Sequence, residues 1–201
     1  MCIRDRFNAM QPGVVALSGW DLVGALPLEA EQVADLIAEG DTRWINRGGY
    51  DLVDLDPDAL LSAEGLPRSR QLYGSLAEQL QDPQSFASQA RRLFAARRSH
   101  GVASSRQIAV PVTQHPALLI MVHELPAGRG IQVTALNFGA EPISEVITLE
   151  QVEPGPVVDI IHERLMGDLS ADGELHIQLE PYEGLALRIA SMAPGIAPMD
   201  G

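Results

Sequence analysis

Cys2 is the only cysteine among 201 residues, so no internal disulfide can form, and cysteine usage gives secretion no support. Positive charge is scarce: 14 Lys and Arg stand against 27 Asp and Glu, for a net charge of −13. That balance argues against a nucleic-acid partner, because phosphate binding needs clustered Lys and Arg to release counterions. Long apolar runs are missing as well. No stretch approaches the ~20 residues that span a bilayer, and Asn8, Gln11 and Gly13 interrupt any signal-peptide core soon after Arg6. The expectation is a cytoplasmic protein with no membrane partner. Aromatics make up only 4 %, which makes their placement informative.

What is present is ordinary for a globular chain long enough to bury a core: 46 % apolar and 20 % charged. Met1–Arg6 (MCIRDR) has no amphipathic period and runs abruptly into FNAMQPG, which reads as the middle of a domain. It resembles translated sequencing adapter, so residues 1–6 are expected to be an artefactual leader and the natural chain to continue upstream of Phe7.

Element order changes near residue 105. Before it come one apolar run, helices and long polar loops. Val14–Leu17, introduced by Pro12-Gly13 and closed by Ser18-Gly19, suits a strand buried on both faces, with Asp21 just past its end. A helix is predicted over 29–39, stopped by Gly40. The strongest helical pattern covers 82–99: Asp82 as N-cap, Pro83 in the first turn, and Phe86, Ala90, Leu93 and Phe94 on one face. Its Arg91, Arg92, Arg97 and Arg98 read as a solvated face, with an anion site as the alternative. After residue 105, strands are predicted over 108–112, 118–124, 131–138, 145–149, 157–161, 175–179 and 184–189, the spacing of an antiparallel sandwich. Ala190–Gly201 reads as a tail or linker.

The familiar catalytic and metal motifs are absent or incomplete. Asp54, Asp56 and Asp58 alternate like the first half of a calcium loop, but Ala59 and Gly65 stand where such a loop needs Gly and Glu. His162-Glu163 begins like a zinc-protease helix, and Met166 replaces the second His. His123 and His176 fall in predicted strands and His115 lies between two of them, all three as surface or hydrogen-bonded residues. No nucleophile elbow or phosphate loop occurs. Trp20, Trp44, Tyr50 and Tyr73 all lie in the first half, the two tryptophans in predicted loops beside Asp21, Arg43, Asn46 and Arg47. Flat apolar faces next to hydrogen-bonding groups are what sugar sites use. The competing reading is that Trp20 and Trp44 cover the end of a core.

Gln11–Gly24 (QPGVVALSGWDLVG) resembles the eighth barrel strand of α-amylase-superfamily enzymes. Asp82–Ser105 resembles the final barrel helix and the crossing that follows it. Ala117–Phe138 and Pro181–Ile189 resemble the C-terminal β-sandwich. Within that superfamily, Leu17–Gly24, Asp41–Tyr50, Gly65–Arg68 and Leu72–Leu76 look most like the trehalose synthases (maltose α-D-glucosyltransferases). The resemblance implies an α/β plus all-β chain, the end of a (β/α)8 barrel (last strand and helices) followed by an antiparallel β-sandwich domain. The expected boundaries are 7–105 for the barrel end, 106–189 for the sandwich and 190–201 for the tail.

It further implies a retaining enzyme interconverting maltose and trehalose, with glucose as the species held in the pocket. The nucleophile and acid/base carboxylates are expected upstream, leaving no catalytic residue, metal or cofactor in this chain; calcium would belong to the upstream part. Trp20, Asp21, Arg43, Trp44 and Asn46 are then the expected rim of the substrate pocket, since barrel sites are built from loops after the strands. A homo-oligomer is compatible with this reading. Two alternatives stay open: another hydrolase or transferase of the superfamily, and a non-enzymatic sandwich that packs or binds carbohydrate.

Overall fold

The computed structural model describes residues 3–150 and 152–190. Among them are five α-helices: α1 Ile3–Ala9, α2 Gly19–Val23, α3 Ala34–Ala38, α4 Leu76–Gln79 and α5 Phe86–His100. Eight strands follow: β1 Arg106–Ala109, β2 Leu118–Glu124, β3 Ile131–Asn137, β4 Ile143–Thr148, β5 Gly155–Asp159, β6 Arg164–Leu169, β7 Glu174–Leu179 and β8 Gly184–Ile189. By contacts the chain divides into two units, Ala16–Arg91 on one side and Met1–Val15 with Arg92–Gly201 on the other, the division falling within α5.

The larger unit is the antiparallel sandwich. Six strands run in the order β1-β2-β3-β8-β5-β6, and β4 pairs with β7 in a second sheet. Side chains alternate in and out along a strand, so β4 and β7 turn Ile143, Ile147, Leu175, Ile177 and Leu179 inward onto Leu118, Ile120, Val122, Val133, Leu185, Leu187 and Ile189. The central strands are buried on their other face too. There Ala186 joins Ala9 and Met10, which follow one another at the end of α1, together with Leu93 and Ala96 of α5, Val102, Leu125 and Ile160.

That back face explains two departures from expectation. Arg97, read as part of a solvated helix surface, is only 7 % exposed. It donates to the carbonyls of Ala9, Gln11 and Gly13, capping a chain segment that has no ladder to satisfy it. His123, expected to be hydrogen-bonded or superficial, is fully buried with both ring nitrogens unpartnered. Burial lowers its pKa by disfavouring the charged ring.

Other boundaries move for local reasons. β1 begins two residues earlier than expected and ends before Pro111, which has no N–H to donate. A bulge interrupts its pairing between Gln107 and Ala109. β6 was not anticipated: it is an edge strand exposed along five of its six residues, so it carries no apolar period. The predicted helix over 29–39 is a 3₁₀ turn, Ala30–Val33, running into α3. The helix predicted from Asp82 starts at Phe86 instead. Asp82 caps a turn by accepting from the Gln84 N–H at 2.8 Å, and the Ser85 hydroxyl takes the Ser88 N–H at 3.2 Å. Gly101, at φ 70°, stops α5 as expected.

Ile3–Arg6, within the expected leader, forms part of α1, and Arg6 donates to the Gly184 carbonyl. Met1, Cys2 and residues 191–201 of the expected tail lie outside the described residues. None of the described helices is long and apolar enough to cross a membrane.

Candidate functional site

The expected rim residues all belong to the Ala16–Arg91 unit. Val14–Leu17, expected to be a strand, makes no ladder among the described residues, and Val14 is 99 % exposed. A strand needs a neighbour to accept and donate its backbone bonds, and none is there. The chain then turns straight into α2. Ser18 and Asp21 form a capping box, the Ser18 hydroxyl accepting from the Trp20 N–H at 3.0 Å and the Asp21 carboxylate from the Ser18 N–H at 3.3 Å. Trp20 and Asp21 therefore sit on the first turn of a short helix rather than in a loop.

The Trp20 ring meets Tyr50 edge to face, with centroids 6.2 Å apart and planes at 83°, the arrangement favoured by the ring quadrupoles. Gly19 makes that approach feasible. A Cβ there would stand 2.5 Å from the Tyr50 hydroxyl oxygen.

Arg43, Trp44 and Asn46 occupy a 3₁₀ turn, Thr42–Asn46, capped by Asp41. The Asp41 carboxylate accepts from the Arg43 N–H at 3.0 Å, from its Nε at 2.7 Å and from its Nη2 at 2.9 Å. Arg47 Nη1 lies 3.2 Å from the same carboxylate. The Arg43 side-chain bond is the main cause that holds the Asp41 pKa down at about 2, well under the usual carboxylate range. The Arg47 guanidinium lies over the Trp44 ring, 4.7 Å from its centroid, a cation–π contact. Of the five expected residues, Trp20 contacts Tyr50 and Asp21 caps the same short helix, while Arg43 pairs with Asp41, Trp44 lies under Arg47, and Asn46 ends the 3₁₀ turn that carries them.

Asp41, Arg47 and Tyr50 complete these groups, although sequence reasoning did not place them on the rim. The signal for Asp41 was legible: an Asp two residues before Arg43 at the start of a helical turn is a natural N-cap. Gln79 was not foreseen. Its buried amide donates to the carbonyls of Leu22 at 2.7 Å and Gly74 at 3.2 Å, and accepts from the Ala87 N–H at 3.1 Å. It ties three segments of the unit together, and nothing in a lone Gln announces that.

The remaining candidates serve structure. Asp51, beside the Asp54–Asp58 alternation, accepts from the backbone of Val53 and Asp56 and faces Arg68 at 3.5 Å. His162 follows β5 in a turn, not a helix, and its Nδ1 is 2.7 Å from the buried Asp159 carboxylate. His115 lies in the turn before β2, where its Nδ1 accepts from the Ala117 N–H. His176 lies on the exposed face of β7. Among the described residues no three His, Cys, Asp or Glu side chains group as a metal site would require.

No family model and no curated protein matches the chain. Solved structures do. A MutB mutant in complex with the substrate sucrose aligns over 93 % of this chain and 37 % of its own, with a TM-score of 0.63 at 14 % identity. AmyP in complex with maltotriose aligns over 94 % and 34 %, with a TM-score of 0.58 at 17 % identity. AmyP with maltose aligns over 96 % and 35 %, with a TM-score of 0.56 at 16 % identity. These are α-amylase-superfamily glycoside hydrolases. The fold is theirs. It is a β-sandwich following the end of a barrel, and the chain spans about a third of the length of the structures it matches.

Proposed function

We propose that this chain is the C-terminal part of a retaining glucosyltransferase that interconverts maltose and trehalose, and that Trp20, Asp21, Arg43, Trp44 and Asn46 line the rim of its glucose pocket. The observation that carries this reading is the Asp41–Arg43–Trp44–Arg47 cluster, an aromatic face framed by guanidinium donors on a chain with so few aromatics. The maltose and sucrose bound to the neighbours support a sugar as ligand. The sequence likeness of 17–24, 41–50, 65–68 and 72–76 to trehalose synthases supports the choice of reaction. The unpaired apolar run Val14–Leu17 supports a barrel whose other strands lie outside 1–201.

In this reading the nucleophile and acid/base carboxylates lie outside 1–201, and the residues here orient the sugar and exclude water. Exclusion matters because hydrolysis of the glycosyl-enzyme competes with re-formation of the glycosidic bond. Removing the Trp44 wall admits water. In the full-length protein carrying this sequence, Trp44→Ala is expected to raise the glucose-to-trehalose product ratio from maltose, read by chromatography. An unchanged ratio overturns the rim assignment.

A further inference from the structure

One carboxylate organises the whole of the Thr42–Arg47 segment. Asp41 caps the 3₁₀ turn through the Arg43 N–H, pairs with the Arg43 side chain through Nε and Nη2, and still holds Arg47 Nη1 at 3.2 Å. Arg47 in turn lies over Trp44, its guanidinium carbon 4.7 Å from the ring centroid. A chain of contacts therefore runs from Asp41 through Arg47 to the indole. An unanchored Arg loses side-chain entropy when it stacks. Here the ion pair fixes the guanidinium first, so the ring meets a preorganised partner. Arg47 covers that face of the ring and closes it to a flat ligand.

We propose that Asp41 is a positioning residue: by holding Arg47 against one face of Trp44, it leaves the opposite face as the seat of a single neutral hexopyranose ring. The ligand class follows from the chemistry. A pyranose offers an apolar C–H face to the indole, and it brings no positive charge to be repelled by Arg43 and Arg47. Beyond the rim assignment this adds a residue that touches no sugar and a direction for the aromatic wall. It rests on the glucose-pocket reading for its ligand, while the mechanical link from Asp41 to Trp44 stands by itself.

The chain has two tryptophans, so Trp20→Phe leaves Trp44 as the sole reporter in the 201-residue protein. Asp41→Asn keeps an oxygen that can cap the turn and removes the charge that holds Arg47. Arg47→Met keeps the side-chain stem and removes the cation. Without sugar, each substitution is expected to raise acrylamide quenching of Trp44 about twofold. With maltose as the probe, each is expected to weaken the half-saturation of the emission change about threefold. The double variant D41N/R47M is expected to match the single ones, because both act through one contact.

Quenching unchanged by D41N, or additive effects in the double variant, overturns the positioning role. If quenching follows the expectation but maltose leaves the Trp44 emission unchanged, the sugar seat on Trp44 is overturned, and the Asp41–Arg47–Trp44 link survives.

Discussion

The sandwich and the Ala16–Arg91 unit hold their shape by different means. In the sandwich, fifteen apolar side chains from seven strands, with Leu149 just after β4, close one continuous core. In Ala16–Arg91, only Val23, Leu28, Val33, Ala87 and Ala90 are buried apolar residues, while Leu55 and Leu60 are 86 % and 84 % exposed. Order there comes from caps and directed polar contacts: the capping boxes at Ser18 and Ser75, the Asp41 turn, Asp51 on its own backbone, and the Gln79 amide. Apolar burial is non-directional and sums over area, so a sandwich tolerates loss of any one hydrogen bond. A segment built from single bonds depends on each of them.

The largest effect that tests this contrast is in the sandwich core. Ile120→Ala, at a fully buried β2 position, is expected to cost about 3 kcal/mol in urea unfolding. Leu28→Ala, at 7 % exposure in the other unit, is expected to cost less than half of that, and equal losses would break the comparison. Next comes Gln79→Leu. It removes three backbone partners at once and is expected to cost about 2 kcal/mol, with faster hydrogen exchange at Ala87, whose N–H loses its acceptor. Protection at Ala87 equal to that of the parent protein would show that apolar packing, not the amide, holds this unit.

The smallest effect concerns pH. Burial lowers the pKa of His123 below that of the unfolded chain, so the unfolded state takes up the proton first. The stability associated with the neutral ring is present above about pH 6.5 and is lost as pH falls below it. His100, lowered chiefly by burial and then by Arg188 and Arg129, titrates with the same sign. His123→Leu is expected to shrink the fall in urea midpoint between pH 7.5 and 5.5 while leaving a residue of it from His100. An unaltered acid limb would mean that His123 finds a proton acceptor when charged. The Asp41 carboxylate, held at about 2 by Arg43, acts in a separate window. Its contribution is present above about pH 4 and is lost as pH falls toward 2.

Much of the sandwich was legible because its signals are periodic and local. β2 and β8 lie where apolar runs bounded by turn residues put them, and Gly101 stops α5 where its conformational freedom is needed. β6 escaped because an edge strand exposed on both faces has no alternation to read. The rim was legible as a set of residue types around 41–50. The roles inside it were not, since Arg43 reads as a free cation until its bonds to Asp41 are seen.

Composition and period by themselves determined that this chain has an acidic surface, a helical middle and an antiparallel second half, because charge, turn chemistry and apolar spacing are properties of neighbours along the chain. Only the tertiary structure decided that Arg97 is buried, that His123 lies without partners beneath the sheet, and that Trp44 carries a guanidinium on one face. Those outcomes depend on which segments meet across many residues of sequence, and no local pattern encodes them. The reading of Trp44 as a pocket wall began from its residue type. Its proposed orientation comes from Asp41.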